Sequence, residues 1–495
     1  MRAASEDWRL GLTLAERLAA IGETLRPVPG ASRRRRMHWR QQRRTDIARA
    51  RKLAALIAVE PKWWREFWGC YRANTASAPA NDLLAALGPL IAPKAASLRA
   101  QLSRGGCSLY PGSEKSRQGL AASFEATLRD RLALAVTKTL VLELAVAGRA
   151  RLLKGDTPEA RFSFFCDCLK DPAFAARLLA QYPVLVRRCI GIASSWEQAS
   201  RSLLARIAVS GSKLISVFFA NEHPGALASV EVSGDVHNRG QATHILSFES
   251  GARLVYKPRP MAMERCYYDF VAWLNDRGLD PELKVVRTLD EGAFGWMEFV
   301  PVAPCGTHAE INRFFARIGT HLALTSLLGG TDLHSDNVVA HGEHPVPADL
   351  ETLFHADPSP ENLSGATARG WAVLRHSVVR TLMLPEARGF SDKPEEWVDM
   401  SALGHSDDQL TPMPVANWVR AETDRMRLIY ERATIPAGFS LPQLDGQQVQ
   451  SAAYADDVVH GFVQTYEFLR KFRTELLAPQ GPLSAFAGKD RKSVV

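Results

Sequence analysis

Long apolar runs are missing from this chain. The best candidate in 495 residues, Thr139-Leu-Val-Leu-Glu-Leu-Ala-Val-Ala147, is short and interrupted by Glu143. It falls well under the roughly 20 apolar residues that a membrane-spanning helix needs. The N-terminus, MRAASEDWRL, carries acidic residues and no apolar signal-peptide core, so a cytoplasmic location is expected. Cysteine is sparse too. The seven cysteines (70, 107, 166, 168, 189, 266 and 305) are odd in number, scattered, and mostly set among apolar neighbours, which argues against a disulfide framework. The one close pair, Cys166-Asp-Cys168, has no second Cys/His cluster to complete a zinc site, and none is expected. GxGxxG, HRD and DFG motifs are all absent. So is any recognisable nucleic-acid reader, and nucleic acid is not an expected partner.

What is present reads as a soluble globular protein, 46% hydrophobic and 23% charged. The length predicts two or three domains rather than one core. The formal charge of +8 is uneven: residues 1–52 hold fourteen Lys/Arg against five Asp/Glu, most of them in SRRRRMHWRQQRRTDIARARK, Ser32 to Lys52. Such a segment can meet an anionic membrane face or an acidic peptide, or can simply be a solvated helix face.

Residues 1–220 are expected to be almost entirely helical. Apolar residues recur at three- and four-residue spacing in Asn81–Ile91 and Ala121–Arg151. Gly155-Asp-Thr-Pro-Glu159 has the cap, proline and acid of a helix start, and Arg104–Ser116 reads as a loop. Tryptophans 39, 63, 64 and 68 are expected in a core. Near Pro224 the character changes. Strands are predicted at Leu227–Val232, Ala242–Phe248 and Ala252–Lys257, the last two as a hairpin around Glu249-Ser-Gly251. A helix from about Met261 to Asn275 follows, then strand-like Lys284–Arg287 and Gly295–Val300, then a helix from His308 to Leu328. Beyond Phe354 the reading is mostly helical, with a polar loop at Gly404–Pro414 and an amphipathic helix at Asp456–Leu476.

The residues with chemical promise gather in GTDLHSDNVVAHGEHPVPADLETLF, Gly330 to Phe354. An aspartate (Asp332), an asparagine five residues on (Asn337) and a second aspartate after a short hairpin (Asp349) match the needs of phosphoryl transfer. One carboxylate takes a hydroxyl proton, and the other two side chains hold Mg²⁺ against nucleotide phosphates. His334 and Glu351 lie in the same stretch. Upstream, Lys257 closes an apolar strand where a nucleotide-phosphate lysine would sit. The turn expected at Ser233–Gly240 offers Asp235 and His237 instead of a glycine-rich loop; a histidine there can donate to phosphate or move protons near neutral pH. A polar loop and a polar turn between buried elements are the alternatives for both stretches.

Taken together, Arg35–Arg40, Thr139–Leu144 with Gly155–Glu159, Tyr182–Leu185, Gly234–Gly240, Leu254–Pro258, Gly295–Glu298 and Gly330–Phe354 resemble, in order, the N-terminal dehydratase half of class II lanthipeptide synthetases. The resemblance implies an α+β fold: a helical N-terminal region (1–220) and a bilobed lipid-kinase-like core. That core has a small antiparallel sheet in its N-lobe (221–303) and a helical C-lobe (304–495). It also implies phosphorylation of Ser/Thr in a ribosomal precursor peptide with ATP and Mg²⁺, followed by phosphate elimination to dehydroalanine or dehydrobutyrine. By the same resemblance Lys257 contacts the nucleotide phosphates and Asp332 is the base on the substrate hydroxyl. His334 shares the loop of Asp332, and Asn337 and Asp349 bind metal. Glu351 serves metal binding or elimination. Asp235 and His237 lie near the phosphates, with His237 assisting elimination. Glu264, on the helix after Lys257, is the expected ion-pair partner of that lysine. A separate cyclase and an export transporter are further partners the family implies.

Two departures qualify the resemblance. Pro347 interrupts the strand before Asp349 and removes a backbone donor, which would shift the aspartate unless that strand lies at an edge. The family's elimination segment, Arg…Arg-x-Thr, is expected to begin where this chain ends, with Arg491 or Lys492 at its first position. The alternative readings are a truncated, elimination-deficient or inactive fragment that binds the precursor leader peptide, and a stand-alone small-molecule or lipid kinase.

Overall fold

The computed structural model describes residues 60–73, 82–104, 106–237, 240–355, 365–389, 392, 396–404, 409–436 and 438–489. The basic segment Ser32–Lys52, Trp39, Arg491 and Lys492 lie outside the described residues. The described chain forms two compact units. One comprises residues up to Ser212 with Gly225–Ala242 and Trp418–Ile429. The other comprises Lys213–Pro224, Thr243–Asn417 and Tyr430 onward. Among the described residues no helix is long and apolar enough to cross a membrane.

The first unit is mostly helical, as the spacing predicts: α1 (Lys62–Ala73), α2 (Gly88–Ser103), α3 (Glu114–Arg149), α4 (Pro158–Lys170), α5 (Pro172–Ala180) and, up to Ser212, α6 (Pro183–Phe218). Helix α3 buries Leu120, Phe124, Leu128, Leu132, Val136 and Leu140 at every fourth position, each worth roughly 1.5–3 kcal/mol relative to exposure. The Gly155–Glu159 start is built as its residues suggest. Thr157 caps α4 by accepting from the Ala160 amide at 3.1 Å, Pro158 opens the first turn, and Glu159 sits at the positive end of the dipole. Trp64 is fully buried, while Trp63 and Trp68 are half-buried. Strand β1 (Leu227–His237) packs on α3. It runs further than Leu227–Val232, so Asp235 and His237 lie on strand rather than in the expected turn.

The second unit is mixed. Its sheet runs β2 (Gln241–Phe248), β3 (Arg253–Lys257), β5 (Gly295–Glu298), β4 (Thr288–Asp290), with antiparallel neighbours throughout. His244 faces Tyr256, Leu254 faces Glu298, and Met297 faces Thr288. The strand expected at Lys284–Arg287 is displaced to Thr288–Asp290. Residues 282–287 form no regular element, burying Val286 and leaving Val285 exposed. Helix α7 (Ala262–Asn275) joins β3 to this part, and α8 (His308–Leu327), capped by Thr307, leads into the hairpin of β6 (Val338–His341) and β7 (His344–Pro347).

After Phe354 the chain is less helical than expected. Helix α9 (Gly365–Arg375) is followed by β8 (Ala387–Arg388), β9 (Val398–Asp399), β10 (Val415–Val419), β11 (Arg427–Glu431), β12 (Gln443–Leu444) and β13 (Gln447–Gln448). Pieces of two to five residues are too short to leave a period in the sequence. Helices α10 (Ala455–Lys471) and α11 (Arg473–Leu476) follow, and a short 3-10 turn at Pro482–Phe486 closes the described chain. The core of the unit is made by Phe270 and Tyr267 of α7, Phe314, Phe315 and Ile318 of α8, and Val458 of α10. Helices α8 and α10 cross through two glycines. A Cβ at Gly319 would fall on the backbone of Val458 and Phe462, and one at Gly461 on the backbone of Ala316. Only glycine permits so close an approach.

Candidate active site

The site grows out of the β6–β7 hairpin. Register pairs Val338 with Pro347 and Val339 with Val346, and the Ala348 amide donates to the Asn337 carbonyl at 2.8 Å. In an antiparallel pair, hydrogen-bonded and non-bonded positions alternate. Ala348 and Val346 are therefore the bonded positions, and Pro345 and Pro347 fall where no donor is needed. Among the described residues the sheet has two strands, so Pro347 costs no ladder bond and the edge condition is met. The prolines also leave their carbonyls free to be braced. Tyr268 of α7 donates its hydroxyl to the Pro347 carbonyl at 2.5 Å. Lys257 donates to the Ala348 carbonyl at 2.6 Å. His321 of α8 hydrogen-bonds the Pro345 backbone. Asp349 follows directly from this clamped segment.

Lys257 ends β3 with a side chain only 6% exposed. Its Nζ stands 3.4 Å from Oε1 of the wholly buried Glu264 and 3.7 Å from Oδ2 of Asp349. The expected Lys257–Glu264 pairing is thus present, and both groups are sealed from water. Arg259, absent from the sequence-based set, holds the same carboxylates. Its Nη2 lies 2.5 Å from Glu264 Oε1 and 2.6 Å from Asp349 Oδ1, and its Nε lies 2.8 Å from Glu351 Oε2. Burial opposes the guanidinium charge, but the carboxylates of Glu264 and Asp349 outweigh it and hold Arg259 above the ordinary arginine range. The available signal was its place just after the strand that ends at Lys257 and five residues before Glu264.

Asp332 lies on the other arm of the loop, in the left-handed region at φ 65°. That conformation suits Asp or Asn better than most residues and occurs often where strain serves a site. Asn337 Nδ2 donates to the Asp332 carbonyl at 2.7 Å, which fixes the loop and leaves Oδ1 as an acceptor. The His334 ring lies 3.1 Å from the Asn337 amide nitrogen and 3.8 Å from the Asp332 carboxylate. Backbone bonds hold the loop from outside: Leu333 to Thr381 at 2.8 Å and Ser335 to Met400 at 3.0 Å. The Asp349–Phe354 turn is tied to the end of α8 by Phe354 donating to Leu328 at 2.7 Å.

The structure therefore joins Lys257, Glu264, Asp349 and Glu351 into one charged cluster, and Asp332, His334 and Asn337 into one loop, with the Asn337–Ala348 bond between them. Asp235 and His237 are exposed on β1, in the other unit. Among the described residues no group of three His, Cys, Asp or Glu could hold a metal by itself. Mg²⁺ in nucleotide sites commonly takes one or two protein oxygen ligands plus water and phosphate. The Asn337 Oδ1 and Asp349 carboxylate fit that donor set.

Residues 182–495 match a family model described as a domain of unknown function, DUF4135. The chain is also 24% identical over 368 residues to the lacticin 481/lactococcin biosynthesis protein LcnDR2 of Lactococcus lactis subsp. lactis. The alignment covers 71% of this chain and 39% of that relative, so the chain spans about two-fifths of the relative's length.

Proposed function

The chain belongs to the DUF4135 family, and from that membership and the geometry above we propose that it modifies a ribosomal precursor peptide in lanthipeptide biosynthesis. In this proposal it is the dehydratase half of a class II synthetase on a lipid-kinase-like core. It phosphorylates Ser or Thr with ATP and Mg²⁺ and eliminates the phosphate. The observation that carries the reading is the sealed Lys257–Glu264 pair with Asp349 against the same lysine. A phosphotransferase needs that combination of cation, orienting acid and metal carboxylate. The similarity to a lantibiotic biosynthesis protein supports the substrate class.

Asn337 and Asp349 would hold the divalent cation, whose chemistry is to neutralise phosphate oxygens. Glu264 directs the Lys257 ammonium toward the phosphates. Asp332, its carboxyl 38% exposed, accepts the hydroxyl proton of the incoming Ser or Thr, and His334 beside it steadies that carboxylate. In the elimination step a base removes the substrate α-proton as the phosphate leaves. Asp235 and His237 are the acid/base groups proposed for it, with Glu351 assisting at the metal or in elimination. Incubation with a Ser/Thr-rich precursor peptide, ATP and Mg²⁺ is expected to give peptide lighter by one water per site. Gain of one phosphoryl group per site instead identifies an elimination-deficient enzyme. An unchanged peptide mass overturns the proposal. Asp332→Asn is expected to abolish either product.

A further inference from the structure

Arg259 sits where the cation would have to act. Its guanidinium takes Asp349 Oδ1 at 2.6 Å while Lys257 faces Oδ2 at 3.7 Å, so both oxygens of the proposed metal carboxylate face protein cations. At 2.6 Å, Nη2 takes a lone pair of Oδ1 and sets a positive charge against the carboxylate, so Arg259 and a divalent ion compete for Asp349. The surroundings are suited to exchange. Asp349 and Arg259 are the more open members of the cluster, with side chains 32% and 23% exposed, whereas Glu264 is wholly buried. Glu264 accepts Arg259 and Lys257 through Oε1 alone, and its buried Oε2 has no hydrogen-bond partner. A guanidinium leaving Asp349 therefore keeps Glu264 and Glu351 as partners and has a buried acceptor in reach. An uncompensated buried acceptor is costly, which favours a state in which it is used.

Resting on the phosphotransfer reading, we propose that Arg259 is an exchangeable counter-cation. It occupies Asp349 in the metal-free enzyme and gives up that carboxylate when a divalent ion binds, withdrawing onto Glu264 and Glu351. It is a positioning residue: it keeps Asp349 and Glu351 aimed before the metal arrives, and it sets how tightly metal binds without nucleotide. Two cations against three carboxylates leave the cluster with one net negative charge, enough to attract a metal but not to trap it.

The test is binding of Mn²⁺ alone, followed by loss of the free-ion paramagnetic resonance signal, with Mn²⁺·ATP measured in parallel. Arg259→Gln is expected to bind Mn²⁺ alone at least about fivefold more tightly than wild type, as removing a unit charge at roughly 4 Å implies even in a water-like dielectric. Arg259→Lys is expected to stay near wild type, and Asp349→Asn to lose binding. A merely structural arginine would have the opposite effect, since its loss would disorder the carboxylates and weaken the metal. Should Arg259→Gln fail to fold, Arg259→Gln/Glu264→Gln removes the buried acid with its partner. It keeps the wild-type net charge of one negative and is expected to bind Mn²⁺ more tightly because no guanidinium competes for Asp349 Oδ1. Unchanged or weaker Mn²⁺ binding in a folded variant, with normal Mn²⁺·ATP binding by wild type, overturns this proposal alone. Failure of wild type to bind either Mn²⁺ or Mn²⁺·ATP overturns the phosphotransfer reading with it.

Discussion

His321 offers a quantitative test of how β7 is braced. The imidazole is 1% exposed, accepts from the Tyr267 hydroxyl at 2.7 Å through Nδ1, and hydrogen-bonds the Pro345 backbone. Burial drives its pKa down to about 3, with the charges of Arg317 and His344 acting in the same direction against the Pro345 carbonyl. In the unfolded chain a histidine titrates near 6.5. Between these values the unfolded state holds a proton that the folded state refuses, so stability is full above about pH 6.5 and falls as pH drops toward 3. At about pH 5 the loss from this one group is 1.5 pH units at 1.36 kcal/mol each, about 2 kcal/mol. His344, half-buried and brought down to about 4, loses stability over a similar window, so the group must be isolated by substitution. His321→Gln keeps an acceptor and a donor but cannot titrate. Urea unfolding of wild type and variant at pH 7 and about pH 5 is the assay. The wild-type loss on acidification should exceed that of the variant by about 2 kcal/mol. Identical pH dependence in the two proteins would refute the assignment of a buried neutral imidazole.

Other substitutions probe the same architecture. Gly461→Ala forces a methyl into the backbone of Ala316 at the α8–α10 crossing and should cost at least about 2 kcal/mol by thermal unfolding, the range of overpacked cores. Tyr268→Phe removes the bond to the Pro347 carbonyl and should cost about 1–3 kcal/mol for the unpaired buried acceptor. The same change should reduce peptide modification more than ATP binding. At Asp332, Asn should leave the melting temperature unchanged while abolishing modification. Ala should abolish modification and also lose about 1–2 kcal/mol, because it tolerates the left-handed backbone less well.

How much of this was legible in the sequence depended on whether a residue's role is local. The α4 start and the β2–β3 hairpin follow from caps and turn residues acting within a few positions, and both stand where their residues put them. The Lys257–Glu264 pair was reachable because a strand end and the helix after it are near in sequence as well as in space. Lys284–Arg287 misled because two adjacent valines look like strand, whereas the pairing is decided by what β5 offers, and β5 takes Thr288–Asp290. Arg259 was missed for a deeper reason. An arginine beyond a strand end is ordinarily solvated, and besides the nearby Glu264 it is Asp349 and Glu351, some ninety residues later, that hold it inward. Pro347 shows the converse. Its liability is local and visible, but its remedy is tertiary: a two-stranded sheet, with Tyr268 holding the carbonyl that the hairpin leaves free. Local rules thus locate the loop that carries Asp332 and Asp349, while long-range charge pairing determines that Arg259 holds Asp349. That is why the sharpest question about this site concerns Arg259 rather than the residues whose spacing first marked it.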